Sequence, residues 1–183
     1  MIKIKKGTLL IAEPFLKDLD FQRSVVLICE HQQEGTFGVT INKPIDIKIA
    51  ALVEGLEAYN NPIFNGGPVN REHIHFIHIF PNHIPGGELI SDQIYWGGDF
   101  EIATQLIQKN KIDPDGIKFF VGYAGWGEGQ LKKEMDEKSW LITSATRDIV
   151  FHKNPTKIWG NAVKKLDDNF HPIINYPLDP SFN

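Results

Sequence analysis

The stretch GYAGWGEGQL, Gly122 to Leu131, places four glycines and one tryptophan in ten residues, and it constrains the fold more than any other part of the chain. Glycine opens backbone conformations closed to other residues and loses more freedom on folding, so a cluster this dense marks a place where the backbone turns or approaches another backbone. An apolar run, Ile117 to Val121, precedes it and a charged amphipathic run follows. The expectation is a strand that turns through a glycine-rich loop into a helix. Backbone N–H groups at such a helix start attract anions, which invites a phosphate site. The spacing argues against one. A Walker loop needs G-x-x-x-x-G-K-[ST] and a dinucleotide loop G-x-G-x-x-G, whereas Gly125, Gly127 and Gly129 are spaced G-x-G-x-G with no Lys-Ser or Lys-Thr after them. Glu128 stands where a phosphate would dock; its carboxylate complements the helix dipole itself and repels a polyanion. The glycines are therefore expected to supply positive φ angles and to let Trp126 pack flat against backbone.

A chain of 183 residues is expected to form one domain over 1–183 and to bury about 70% of the surface its unfolded form exposes. The longest unbroken apolar run in the first half, Val25 to Cys29, is far short of the roughly 20 residues that a membrane helix needs. The N-terminal MIKIKKGTLLIAEP runs quickly into Glu13 and Pro14 and carries no signal-peptide pattern. A single cysteine, Cys29, cannot make an internal disulfide, which fits a reducing cytoplasm. The formal charge is −4, from 19 basic and 23 acidic residues. Its densest basic groups, Lys3-Lys5-Lys6, Lys132-Lys133 and Lys164-Lys165, are too small for a nucleic-acid footprint, so direct nucleic-acid binding is not expected, nor is a membrane.

In chain order, Thr8 to Ala12 reads as a strand ended by Pro14, and Lys17 to Asp20 as a loop. Ser24 to Glu30 and Thr36 to Ile41 form a hairpin across QQEG. Ile49, Leu52, Val53 and Leu56 recur at helical spacing and predict a first helix over Ile47 to Ala58. NGGPV is a turn, His73 to Phe80 a strand filled on both faces, and Glu88 to Ile90 a short strand between the turns Pro85-Gly86-Gly87 and Trp96-Gly97-Gly98. Asp99 caps a helix running to about Asn110. Leu131 and Met135 set one face of the helix after the glycines, Trp140 to Thr143 is a strand, and Asn154-Pro155 opens a last helix with Trp159, Ala162, Val163 and Leu166 on one side. The tail, 167–183, has no regular period, and its apolar residues predict that it lies along the body.

No motif carries a cofactor, and none is expected. His73, His75 and His78 form H-x-H-x-x-H, with His73 and His75 on one face of a strand and His78 on the other; two same-face histidines do not complete a zinc site, so no metal site is assigned and a polar or hydrogen-bonded pair is the favoured reading. Cys29 and His31 would share a strand face, but Cys29 ends an apolar run and reads as a buried structural thiol. There is no G-x-S-x-G elbow, and no residue takes a catalytic role.

GTLLIAEP (Gly7 to Pro14), FQRSVVLICEH (Phe21 to His31), GVTINKP (Gly38 to Pro44), GGPV (Gly66 to Val69), FIHIF (Phe76 to Phe80) and GYAGWGEGQLKKEM with Trp140-Leu141 occur in that order. Together they resemble the YqgE/AlgH family over most of the chain. The resemblance implies a compact α+β fold, with a bifurcated, largely antiparallel sheet, a small barrel-like part and flanking helices. It implies no established activity; members carry the label of transcriptional regulators through an association with alginate regulation. Two functions follow as expectations: a regulatory protein acting through a protein partner, or a small-molecule binder or enzyme whose site lies at the GGPV, INKP and GYAGWGEGQ segments. The residues assigned to such a site are Arg23, Ser24, Asn42, Gly66, Gly67, Trp126, Glu128 and Gln130.

Overall fold

Alternating apolar runs of β-branched and aromatic residues dominate this chain, and in the computed structural model they build one curled sheet. Residues 3–16 and 18–177 are described. The strands are β1 Thr8–Ala12, β2 Val25–His31, β3 Gly35–Thr40, β4 Pro44–Ile45, β5 Ile63–Asn65, β6 Val69–His78, β7 Glu88–Ser91, β8 Ile94–Trp96, β9 Ile117–Gly127 and β10 Trp140–Ser144. The helices are α1 Phe100–Gln108, α2 Gln130–Asp136, α3 Arg147–Val150 and α4 Pro155–Val163. The strand order is β10-β1-β2-β3-β9-β6-β8-β7, with β4 and β5 attached through β5 to β9. This is the bifurcated α+β architecture that the family resemblance implies, its sheet curled into a half-barrel.

Strand β9 is where the sheet divides. Its first half pairs with β6 on one edge, as in Phe76↔Phe119, and runs parallel to β5 on the other, Phe64↔Phe120 and Asn65↔Val121. Beyond Gly122 that second edge passes to β3, with Phe37↔Gly125 and Gly38↔Ala124. Three packed regions follow. One face of β1 and β2, Leu9, Ile11, Val25 and Leu27, packs against Trp159, Ala162 and Val163 of α4. The opposite face, Leu10, Val26 and Ile28, packs with Trp126, Leu131 and Trp140. Phe76 and Phe119 meet Ala103 and Ile107 of α1 in the third. Strands buried on both faces explain why β1 and β2 read as continuous apolar runs.

Both long helices begin where the sequence places a cap. Asp99 Oδ1 accepts the Ile102 N–H at 2.9 Å, and Asn154 Oδ1 accepts that of Thr156 at 3.0 Å with Pro155 in the first turn. The tail packs through Ile173 and Ile174 and through a stack of Tyr176 on Phe15 at 5.6 Å; residues 178–183 of it, and Lys17 of the expected loop, lie outside the described residues.

Three expectations are corrected. The helix over Ile47–Ala58 is a single 3-10 turn, Ile49–Ala51. Gly55 adopts φ +88°, which a right-handed helix cannot carry, so Ile49 and Leu56 reach the core from an irregular path. The glycine-rich stretch is not a loop through Gly127: β9 continues to that residue, and Gly125 and Gly127 lie on its exposed face while Ala124 and Trp126 are buried. Trp96, expected in a turn, ends strand β8.

Candidate functional site

The far half of β9 carries side chains on one face and almost none on the other. Tyr123, Gly125 and Gly127 point away from the core that Ala124 and Trp126 enter. The bare face forms the floor of a groove of ≈ 730 Å³, with walls of Phe37, His75, Trp96 and Tyr123. The rings brace one another. Phe37 meets Trp96 edge-on at 5.5 Å and Tyr123 at 5.8 Å; His75 stacks on Trp96 at 5.3 Å and meets Tyr123 edge-on at 5.9 Å. Such a mutually packed cluster holds its rotamers without a ligand. A Cβ added at Gly125 would lie 3.3 Å from the Tyr123 ring, so glycine keeps the floor open.

The chemistry of this groove is one-sided. Glu30 and Glu34 stand among its lining residues, which include no lysine or arginine. His75 Nε2 is removed from solvent and takes no hydrogen-bond partner. Burial, with the neighbouring His73, lowers the pKa of His75, so its imidazole is neutral at pH 7 and offers one donor and one acceptor. A neutral, ring-lined groove with acidic side chains at its edge suits a planar ligand that is neutral or cationic and disfavours an anion.

The residues singled out from the sequence divide into three places. Gly66 and Gly67 lie where the chain leaving β5 crosses β9: a Cβ on Gly66 would sit 2.2 Å from Gly122 O, and one on Gly67 2.2 Å from Tyr123 C. Two of the three motif segments, GGPV and GYAGWGEGQ, therefore meet, and Val69 and Gly125 both line the aromatic groove. The INKP segment pairs with the residues entering GGPV, Lys43 O accepting the Asn65 N–H at 2.8 Å, but its Asn42 side chain is directed to the Arg23 turn. Asn42 Oδ1 accepts the Val25 N–H and its Nδ2 donates to Arg23 O, each at 2.8 Å. Arg23, at φ +51°, lies over the Trp159 ring at 4.8 Å and donates to Tyr176 O, while Ser24 is fully buried. This cluster ties the β1–β2 turn and the tail together and does not reach the groove. Trp126 points into the core, where its Nε1 donates to Glu134 at 2.9 Å. Gln130 Oε1 accepts the Gly127 N–H at 3.2 Å, and Glu128 is exposed beside a second, apolar groove.

An AlgH-like family model matches residues 9–171. The chain belongs to that family. A UPF0301 protein of Cytophaga hutchinsonii is 39% identical over 98% of this chain and 100% of its own, and one of Chlorobium limicola is 36% identical over 99% and 97%. In structure, this AlgH-like chain is similar to protein DIP2367 of Corynebacterium diphtheriae, with a TM-score of 0.80 at 20% identity over 96% of this chain and 94% of that one. It is also similar to the AlgH protein of Pseudomonas aeruginosa, with a TM-score of 0.70 at 25% identity over 97% and 98%.

The other titratable residues of this AlgH-like chain are placed by packing. His78 is fully buried; its Nε2 lies 3.0 Å from Gly97 O and its Nδ1 accepts the Phe80 N–H at 3.0 Å, which fixes the Nε2–H tautomer. His73 is exposed, and among the described residues no group of three His, Cys, Asp or Glu side chains is arranged to hold a metal ion. Cys29 is buried with its thiol pKa pushed up by desolvation, consistent with a structural thiol. Among the described residues no helix is long and apolar enough to cross a membrane. The sequence reading passed over Phe37, Trp96, Tyr123 and Glu134. The period-two spacing of Gly125 and Gly127 was the available signal: alternate glycines in a strand leave one face bare.

Proposed function

We propose that this AlgH-like chain is a small-molecule-binding protein whose ligand is a small planar ring, neutral or cationic, seated on Gly125 between Phe37, Trp96 and Tyr123. One observation carries the reading: Phe37, Trp96, His75 and Tyr123 brace one another around a groove whose floor, at Gly125, has no side chain. Rings already held in place lose little freedom when a planar ligand stacks on them. The test is calorimetric titration and thermal unfolding with adenine, nicotinamide and benzamidine, and with AMP as an anionic control. A ring present at about 100 times its Kd adds ~2.7 kcal/mol, which raises Tm by roughly 5–10 °C for a chain of this size. Gly125→Leu, which fills the floor, is expected to lose the shift measured against its own unliganded Tm. No binding by any of the three rings, or undiminished binding to Gly125→Leu, would sink the reading.

A regulatory role through a protein partner is the second reading, supported by the apolar groove of ≈ 1370 Å³ lined by Leu131, Met135, Leu141, Ile142, Leu166 and Phe170. Capture of one dominant partner from native lysate by the wild-type chain, and its loss with Phe170→Glu, is the expected result. Retrieval of background alone counts against it.

A further inference from the structure

Lys118 lies on β9, yet only 7% of it is exposed. A buried ammonium normally needs a carboxylate partner, and among the described residues no ion pair is formed by Lys118. Its Nζ has a single long hydrogen bond, 3.4 Å to Ile41 O, and sits 4.5 Å from the centre of the Phe64 ring. Desolvation lowers its pKa to about 7, so much of the amine is free base at neutral pH. Beside it is a cavity of ≈ 160 Å³ lined by Lys118, Phe64, Tyr59, Asn61, Asp115 and Lys153, with His152 also on its wall. The charged and titratable neighbours are already engaged. Asp115 is paired with Lys153 at 2.6 Å and hydrogen-bonded by Asn61 at 2.9 Å; Tyr59 Oη donates to Ile117 O at 3.0 Å; His152 Nδ1 accepts the Asn154 N–H at 3.1 Å.

We propose that Lys118 is a nucleophilic amine at the wall of this cavity, which condenses with a small aldehyde or ketone to form an imine. The nitrogen lone pair attacks the carbonyl carbon and one N–H proton passes to the oxygen, giving a carbinolamine; the C–O bond then breaks, the hydroxyl leaves as water with the second N–H proton, and the C=N bond forms with no change of oxidation state. The cavity matches the roughly 150 Å³ that takes up one benzene, which restricts the carbonyl compound to about six heavy atoms or fewer. A protonated imine retains the Phe64 face and the Ile41 carbonyl as its stabilising neighbours. A lysine made nucleophilic by desolvation, without a base beside it, is a known chemical route to such adducts.

The full chain is incubated with glycolaldehyde and cyanoborohydride at pH 7, the latter reducing any imine to a stable amine, and labelled sites are mapped by mass spectrometry over time. Lys118 is expected to label at least about tenfold faster than the exposed lysines, because its free-base fraction is far larger. Its rate should level off above pH 8 while theirs keep rising. Pyridoxal 5′-phosphate, too large for the cavity, should label surface lysines and spare Lys118. Lys118→Arg removes the fast site alone; if that variant fails to fold, the site preference within the wild-type chain still decides the matter. Labelling of Lys118 no faster than surface lysines, or equally by both aldehydes, overturns the proposal.

Discussion

A buried lysine makes this protein's stability depend on pH in a direction that can be stated in advance. The folded-state pKa of Lys118, about 7, is below the ordinary lysine value, so between the two the unfolded chain binds the extra proton and stability rises with pH. Below pH 7 both states are protonated and the full burial cost is present. Lys118→Met keeps the length of the side chain and removes the charge. It should raise stability at pH 6–7 by about 2–5 kcal/mol, with the gain shrinking toward pH 10.5; urea melts of both proteins at four pH values check it. A gain independent of pH would mean that packing, not charge, is the cause. Lys118 was not legible in the sequence: IKFFV reads as an apolar strand, and the partner that covers the lysine, Phe64, comes from a distant strand. Asn42 and Arg23 stand out in the sequence, but Asn42 bonds to the backbone of Arg23 and Val25 and Arg23 to that of Tyr176, and neither lines the aromatic groove; which segments the turn meets is decided by the path of the chain, not by the motif.

At the scale of the element, one carboxylate of helix α2 ties it to two tryptophans of the sheet, beside the apolar contact of Leu131. Glu134 Oε2 accepts from Trp126 Nε1 at 2.9 Å and Trp140 Nε1 at 2.8 Å, while its Oε1 accepts from Gln130 at 3.1 Å. The two indoles meet edge-on at 6.1 Å. Replacing Glu134 with Ala leaves both buried N–H groups unpaired and should cost about 2–4 kcal/mol; Glu134→Gln, which keeps an acceptor, should cost less than half of that. Chemical unfolding followed by tryptophan fluorescence measures both, and equal losses would show that α2 is held by apolar packing alone. Elements bounded by caps were legible: Asp99 and Asn154-Pro155 state where a helix starts in local chemistry. The expected helix over Ile47–Ala58 failed because apolar spacing was weighed above Gly55, and the far half of β9 was missed because glycine was read as turn chemistry when its period was two. The aromatic groove draws Phe37, Trp96 and His75 from strands far apart in sequence, so no single segment contained its pattern.

Over the whole molecule, the two parts of the sheet are joined where the chain leaving β5 passes over β9, backbone against backbone. Gly67 has φ +153° and Gly122 φ +69°, and Gly66 N donates to Val121 O while Gly66 O accepts from Thr40 N, each at 2.9 Å. This crossing lets β9 exchange β5 for β3 along one edge, and it also sets Val69 beside Gly125 at the groove. A side chain here collides with main chain, which cannot rotate away. Gly67→Ala should therefore destabilise by about 4 kcal/mol or more, and it should loosen both halves together, since neither keeps its register without the other. Gly127 is the control within the same strand: a Cβ there meets nothing within 4 Å, so Gly127→Ala should fall between no change and a gain of about 1 kcal/mol. Hydrogen exchange separates the outcomes. If Gly67→Ala exposes only β4 and β5 while β1, β2 and β10 keep their protection, the halves fold independently and the crossing merely docks them; uniform loss of protection means that the glycine crossing makes the sheet a single cooperative unit.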